Sequence, residues 1–481
     1  MLHYHGAAFY FRRHQAHLPS HFETSTPETE TRGHGRLLSI LGVGFGLAVA
    51  IGNTIAAGIV RAPGEIATWL PNAVLFVAVW VIGGLYALLG ANCLAELGTM
   101  IPRSGGQYVY ARRALGPYAG FIVGWSDWLS TCGSASTVAF VIGEYLEVLF
   151  PVFQGYRVAL ASLVTIGFAV LQWRGLKWGS RTQEFTSLIK AVAFATLVVA
   201  CFVLGGEAPR NESAAVAAPK FSLLLGMLLA LQAVIYTYDG WAAPIYFSEE
   251  VRNPSRNIPR ALFGGVLSVM GIYVLLNAAL VYVLPIGRIA GNNFALGAAA
   301  ELIFGARGDT IIRAVMVASM MSGINAYHLM ATRVLYAMSR DGLFTSAAAR
   351  VNPGGTPTIS LFASAAVAVV MILLFKTFKG LIAAMSFFFV AQYAMSFVSL
   401  FVLRRRDPHA PRPYHTLGHP WTTAAALAGS VVFLAAAIVT DLTLAEPGEQ
   451  PQRASLYALA ILAASYPVYR LSRRWTNSAT S

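Results

Sequence analysis

Two long apolar stretches of this chain are each interrupted in the middle by residues that do not suit a membrane-spanning helix. In the first, AIGNTIAAGIVRAPGEI at 50–66, the interruption comprises Gly52, Asn53 and Thr54 and then Ala56, Ala57 and Gly58. In the second, VIYTYDGWAAPIYFSEE at 234–250, it covers 237–240. Inside hydrocarbon, an unpaired backbone N–H or C=O costs several kcal/mol. A break at that depth survives only where it is buried in protein or lines a polar cavity.

Composition supports placing these stretches in a bilayer. Of 481 residues 56% are hydrophobic and 11% charged, with a mean hydropathy of +0.60. Soluble domains carry roughly 25% charged residues, so the chain reads as an all-α integral membrane protein. Its formal charge of +13 does not indicate nucleic-acid binding, because the basic residues sit between apolar segments instead of clustering on a face. Cys93, Cys132 and Cys201 lie in apolar stretches without CxxC spacing and read as packing residues.

Segments of about 20 residues, the length that crosses a hydrocarbon core, recur twelve times. They fall near 37–60, 70–94, 117–150, 158–173, 185–204, 222–247, 261–284, 311–338, 359–375, 381–403, 422–440 and 456–469. With the N-terminus inside, every inner connection carries at least three basic residues, among them Arg103, Arg112 and Arg113, then Arg252, Arg256 and Arg260. The positive-inside rule then puts both termini in the cytoplasm of a multi-pass cell-membrane protein. Residues 1–36 hold six of the ten histidines and no apolar run, so they read as a cytoplasmic tail and not a signal peptide. Without fixed spacing those histidines do not specify a metal site, and no metal or cofactor is expected. The Asn211-Glu212-Ser213 sequon falls in an outer loop.

A helix that stops and restarts in the membrane exposes two unlike ends. The restarting half points free N–H groups and a positive dipole end into the gap, which suits a carboxylate. The stopping half points free C=O groups, which suit an ammonium. Ala56, Ala57 and Gly58 are the candidate N–H donors. The competing reading is small residues at a helix seam, to which Gly42, Gly44 and Gly46 just upstream are assigned. Two such breaks in corresponding halves are expected of a secondary transporter with inverted repeats.

Several segments then carry a family resemblance. LAELGTMIPRSGGQYVYARRALGP at 94–117, YDGW at 238–241, EEVRNPSRNIPRA at 249–261, RVLYAMSRDGLF at 333–344 and RRRDPHAPRPY at 404–414 follow the first break in order. Together they resemble the amino acid–polyamine–organocation permeases, especially the amino acid exchanger and bacterial permease branches. The resemblance implies a LeuT-like core of two inverted five-helix repeats, at 37–205 and 206–403, with helices 1 and 6 discontinuous. A loop and two peripheral helices follow at 404–470, and a cytoplasmic tail at 471–481. It also implies a site at Thr54, Ile55, Ala56, Ala57, Gly58, Tyr236, Thr237, Asp239 and Trp241. The carbonyls of Thr54, Tyr236, Thr237 and Asp239 would face the substrate ammonium, with Tyr236 as an outer lid. The expected substrates are small zwitterionic amino acids. Polyamine or cationic amino acid exchange by the same fold is the alternative, and a membrane sensor or membrane-embedded enzyme the alternative from another class. No paired His/Asp, HExxH, P-loop or nucleophile elbow is present, so no enzyme activity is expected.

Asp239 could meet the substrate, accept from local backbone N–H groups or pair with a cation on another helix. Lys190 could snorkel to the interface. By resemblance it instead fills a sodium position, bridging the first break and helix 8 and exchanging a proton, so that no sodium dependence is expected. His328 reads as a packing residue, Glu96, Asp127 and Glu144 as interfacial pairs. Glu249, Glu250, Arg252, Arg256 and Arg260 read as an inner gate held by ion pairs.

Overall fold

Proline, glycine and capping side chains punctuate a chain that is otherwise helical. The computed structural model describes residues 37–206, 222–375, 378–443 and 454–478. The N-terminal histidine-rich segment, the 211–213 sequon and the last three residues lie outside them. The helices are α1 (Val43–Thr54), α2 (Ala57–Trp69), α3 (Ala73–Met100), α4 (Gln107–Leu115), α5 (Pro117–Leu149), α6 (Arg157–Trp173), α7 (Leu176–Leu204) and α8 (Leu223–Tyr238). They continue as α9 (Pro254–Val283), α10 (Ile286–Ile289), α11 (Ala295–Phe304), α12 (Gly308–Arg340), α13 (Thr358–Phe375), α14 (Phe378–Arg406), α15 (Trp421–Thr443) and α16 (Ala454–Ser478). The Asn72 side chain caps α3 by accepting from Val74 N at 2.9 Å and Leu75 N at 3.1 Å. Pro117 and Pro254 start α5 and α9, where a missing N–H costs nothing.

Among the described residues seven helices are long and apolar enough to cross a membrane, and eight if α1 and α2 form one span bent by 44°. α6, α11 and most of α13 are apolar but shorter. Part of the 94–117 motif, expected to be loop, forms the short α4 instead. The second interruption also differs from a stop-and-restart of two α-helices. After Tyr238 the chain passes through a turn into a 3-10 segment, Ala243–Phe247, whose second residue, Pro244, cannot donate an α-helical hydrogen bond.

α5 packs along α12, α3 along α9, and α1 against both α7 and α9. α15 and α16 lie outside, against α3, α5 and α14. Lipid is as apolar as leucine, so close backbone approach and polar contacts hold such helices together. Of the glycines assigned to a seam, Gly46 fits it. A Cβ there would sit 2.5 Å from the Ala261 Cβ, whereas Gly42 and Gly44 face open space.

Ion pairs lie at both ends of the bundle. At the end where α3 finishes and α5 begins, Arg333 and Glu250 form a buried bidentate pair at 3.0 and 2.9 Å. Arg340 bonds Glu249 at 2.9 Å, while Arg103 and Arg112 hold Asp341 at 3.2 and 2.6 Å. The cations facing Glu249 and Glu250 thus come from α12, about ninety residues away in sequence, and not from the neighbouring Arg252, Arg256 and Arg260. The Leu41 backbone also pairs with this loop, through Leu41 N to Glu250 O at 2.9 Å. Glu96 accepts from Arg404 at 2.9 Å and Thr416 N at 2.7 Å, an end pairing as expected. At the opposite end Arg61 pairs with Glu144 and Arg157 with Glu147 at 3.0 Å. Gly291 N reaches Gly64 O at 2.9 Å beside them.

Removing one partner of a fully buried pair strands the other charge, at a cost of about 3–5 kcal/mol. Arg333→Met should therefore markedly lower the melting temperature in detergent, and adding Glu250→Leu should recover most of that loss. Thermal unfolding of the two variants beside wild type checks it.

Candidate functional site

The first helix break opens at two residues. Thr54 ends α1, Ile55 and Ala56 take non-helical dihedrals (ψ 81° and −142°), and Ala57 begins α2. Ala56 N turns back to Thr54 O at 2.9 Å. The N–H groups of Ala57 and Gly58, in the first turn of α2, have no carbonyl four residues earlier inside the helix to receive them. Of the three expected donors, Ala57 and Gly58 are thus the available ones.

A cavity of about 10 Å³ lies at this break, room for about one water. Thr54, Ala56, Ala57 and Gly58 form one wall, and Tyr236, Thr237 and Asp239 from the end of α8 form the second. Ser134 and Val138 of α5, Tyr327 of α12 and Phe389 of α14 complete it. Seven of the nine expected substrate residues therefore converge, from breaks about 180 residues apart in sequence. Ile55 and Trp241 do not line the cavity. Ile55 is buried with its carbonyl turned towards Lys190, and Trp241 stacks on Tyr393 with ring centroids 5.0 Å apart. The four lining residues from α5, α12 and α14 carried no sequence signal beyond small or aromatic character in an apolar helix.

The breaks are tied to each other and to the scaffold. Tyr273 of α9 donates to Thr54 O at 2.8 Å and Thr237 O at 3.1 Å, so two carbonyls expected to face a substrate are bridged by one phenol. Tyr236 O accepts from Asp239 N at 3.0 Å. The Asp239 side chain accepts from the Tyr393 hydroxyl of α14. Lys190 is fully buried and does not snorkel. Its Nζ donates to Gly52 O at 2.9 Å and to Ile55 O, and Ser322 of α12 reaches the same Gly52 carbonyl at 3.4 Å. Three carbonyls along α1 and its end (Ala48, Gly52 and Ile55) are held by side chains of α7, since Gln183 and Ser187 bond Ala48 O at 3.1 and 2.7 Å.

Other polar residues of the interior meet partners outside the cavity lining. His328 Nε2 meets Thr165 O at 3.1 Å. Asp127 departs from its expected interfacial pairing: it is fully buried and bonded to the Tyr246 hydroxyl at 2.8 and 3.0 Å.

Apolar helices long enough to span and a cavity at two helix interruptions together define a multi-pass membrane protein with a cavity between its helices. The amino acid permease family matches residues 37–464, and the chain belongs to that family. It is 29% identical over 421 residues to the serine/threonine exchanger SteT of Bacillus subtilis, covering 86% of this chain and 93% of that protein. It is 26% identical over 401 residues to the human large neutral amino acids transporter small subunit 2, covering 81% and 74%. With the mouse Asc-type amino acid transporter 1 it shares 27% over 385 residues, covering 78% and 72%.

A Cβ at Gly58 would lie 3.1–3.2 Å from Thr237 Oγ1, Cα and Cγ2. Gly58→Val should fill the cavity from that side and abolish ligand binding, while the protein still elutes as a single folded species. Unchanged amino acid binding by the variant would move the site elsewhere.

Proposed function

We propose that this chain is a secondary amino acid transporter that moves small zwitterionic amino acids across the cell membrane by alternating access. The observation that carries the reading is the cavity shared by the two helix interruptions. On one side are the amides of Ala57 and Gly58 at a helix N-terminus, and on the other Asp239 and the end of α8. A carboxylate suits the first and an ammonium the second. The names of the relatives, all amino acid transporters or exchangers, support it. The lining residues Ser134, Val138, Tyr327 and Phe389 carry no charge, which suits a neutral side chain. The polyamine or cationic alternative needs further acids in the cavity, and among its lining residues Asp239 is the sole acid.

In this reading α1 with α2, and α8 with its 3-10 continuation, are the discontinuous first and sixth of twelve crossings, arranged as two inverted five-helix repeats with two peripheral helices. The helices α6, α12, α13 and α16 would supply the crossings that length and apolarity alone do not single out. The arginine-rich connections then face the cytoplasm. The presence of ion pairs at both ends suits an occluded intermediate, with the Arg333–Glu250 pair as part of the inner gate and Arg61–Glu144 as part of the outer.

Lys190 is assigned to proton coupling. Its ammonium occupies a carbonyl cluster at Gly52 and Ile55 that a cation would otherwise fill, and it touches the break that must rearrange as α1 moves. Uptake into proteoliposomes, with a panel of competing amino acids and an imposed pH gradient, tests the whole reading. Lys190→Ala should flatten the pH–rate profile and uncouple uptake from the gradient while substrate still binds. Lys190→Arg should slow turnover, because arginine stays charged throughout. Replacing choline by sodium at constant pH should leave uptake unchanged, and several-fold stimulation would contradict the assignment of Lys190.

A further inference from the structure

Three walls of the cavity continue towards the Arg333–Glu250 end and meet again at a second polar site. On α5, Asp127, Thr131, Ser134 and Val138 follow the spacing of one helical face, and the last two line the cavity. Seven residues of helix place Asp127 roughly 10 Å from Ser134 along the axis. From the second wall, the chain runs from Asp239 in the cavity to Tyr246 in the 3-10 segment, whose hydroxyl meets both Asp127 oxygens at 2.8 and 3.0 Å. From the third, α14 runs from Phe389 in the cavity to Gln392 and Tyr393.

The second site is rich in acceptors and short of donors. Asp127 is 0% exposed, and its recorded partners are two hydroxyls, those of Tyr246 and, at 3.4 Å, Thr131. Among the described residues it makes no ion pair, unlike Glu96, Glu144, Glu147, Glu249, Glu250 and Asp341. Gln392, 1% exposed, directs its Nε2 to Ser126 and Ser130 on either side of Asp127, at 3.5 and 3.4 Å, and its Oε1 has no partner. A buried carboxyl group without a cation is costly to ionise, and an ammonium brought beside it would favour the charged form.

We propose that Asp127, with Gln392 Oε1, forms a transit subsite for the substrate's ammonium group on the path between the central cavity and the Arg333–Glu250 end, with Tyr246 as its occupant when empty. The ammonium, with three donors, leaves Asp239 and the α8 carbonyls and meets the next carboxylate about two turns of α5 beyond Ser134, displacing the Tyr246 hydroxyl as the 3-10 segment moves. The proposal rests on the transport reading above and adds a binding step on one side of the membrane only.

The test is sided kinetics in proteoliposomes sorted into right-side-out and inside-out populations. The probe is the amino acid the competitor panel ranks first, starting from L-serine. Asp127→Asn keeps the side-chain volume and a hydrogen bond to Tyr246. It should raise KM for substrate presented at the Arg333–Glu250 face about tenfold or more, as expected for loss of a charge-assisted hydrogen bond. KM from the opposite face should stay within about twofold. Tyr246→Phe removes the competing donor and should lower KM at the same face. Asp127→Glu, which restores the carboxylate, should recover part of the sidedness. Equal changes from both faces would make Asp127 a purely structural residue, and unchanged KM from both would remove it from the path. Either result overturns the subsite. Wild-type protein that takes up no amino acid from either face would instead overturn the transport reading itself.

Discussion

The structure turns on the carbonyls that a broken helix leaves behind. Where α1 stops at Thr54, the oxygens of Gly52, Thr54 and Ile55 can no longer all be satisfied within a continuous helix, and hydrocarbon offers no water to replace the lost partners. Side chains from three other helices meet that need. Lys190 takes Gly52 and Ile55, Ser322 shares Gly52, and Tyr273 takes Thr54 together with Thr237 of the second interruption. Each tether is a polar group that would itself be costly to bury alone, so break and tethers require one another.

The mutual dependence accounts for the position of the cavity. Tyr273 bonds both interruptions, which holds their ends a few ångströms apart, and the remaining walls are the nearest faces of α5, α12 and α14. Two unlike helix ends then face one another across a small volume, the condition for recognising both poles of a zwitterion with backbone groups. The polar zipper of Gln183, Ser187 and Lys190 along α1 makes that half-helix a unit held by hydrogen bonds, which can be exchanged, instead of by packing alone. The ion pairs at the two ends are of the same kind. Arg333 and Glu250 join α12 to the loop that follows the second interruption, so this pair ties the chain after the 3-10 segment to α12.

Much of this was legible in the residues. Low charge and long apolar runs gave the membrane class. The interruptions at 52–58 and 237–240 stood out because Gly, Asn, Thr and Asp are expensive there, and seven of the nine residues that the family resemblance placed at them line the cavity. Lys190 stood out for the same reason, as a charge in an apolar helix. Ser134, Val138, Tyr327 and Phe389 escaped notice, since a serine or an aromatic residue in a span is as compatible with packing as with a site. That Glu249 and Glu250 find their cations on α12 was not legible, because proximity in sequence is all that a linear reading offers.

What the sequence by itself determined is whatever depends on the cost of placing one residue in one solvent: which segments prefer lipid, where a helix cannot continue, and which polar groups need a reason to be buried. Tertiary structure alone decided which groups answer those costs. That Tyr273 bridges Thr54 and Thr237, that α12 supplies the cations facing Glu249 and Glu250, and that Asp127 meets Tyr246, all join residues 36 to 219 positions apart. Helical periodicity fixes the face on which a side chain lies but carries no information about the helix opposite, and it is packing between helices that brings such residues within hydrogen-bond distance.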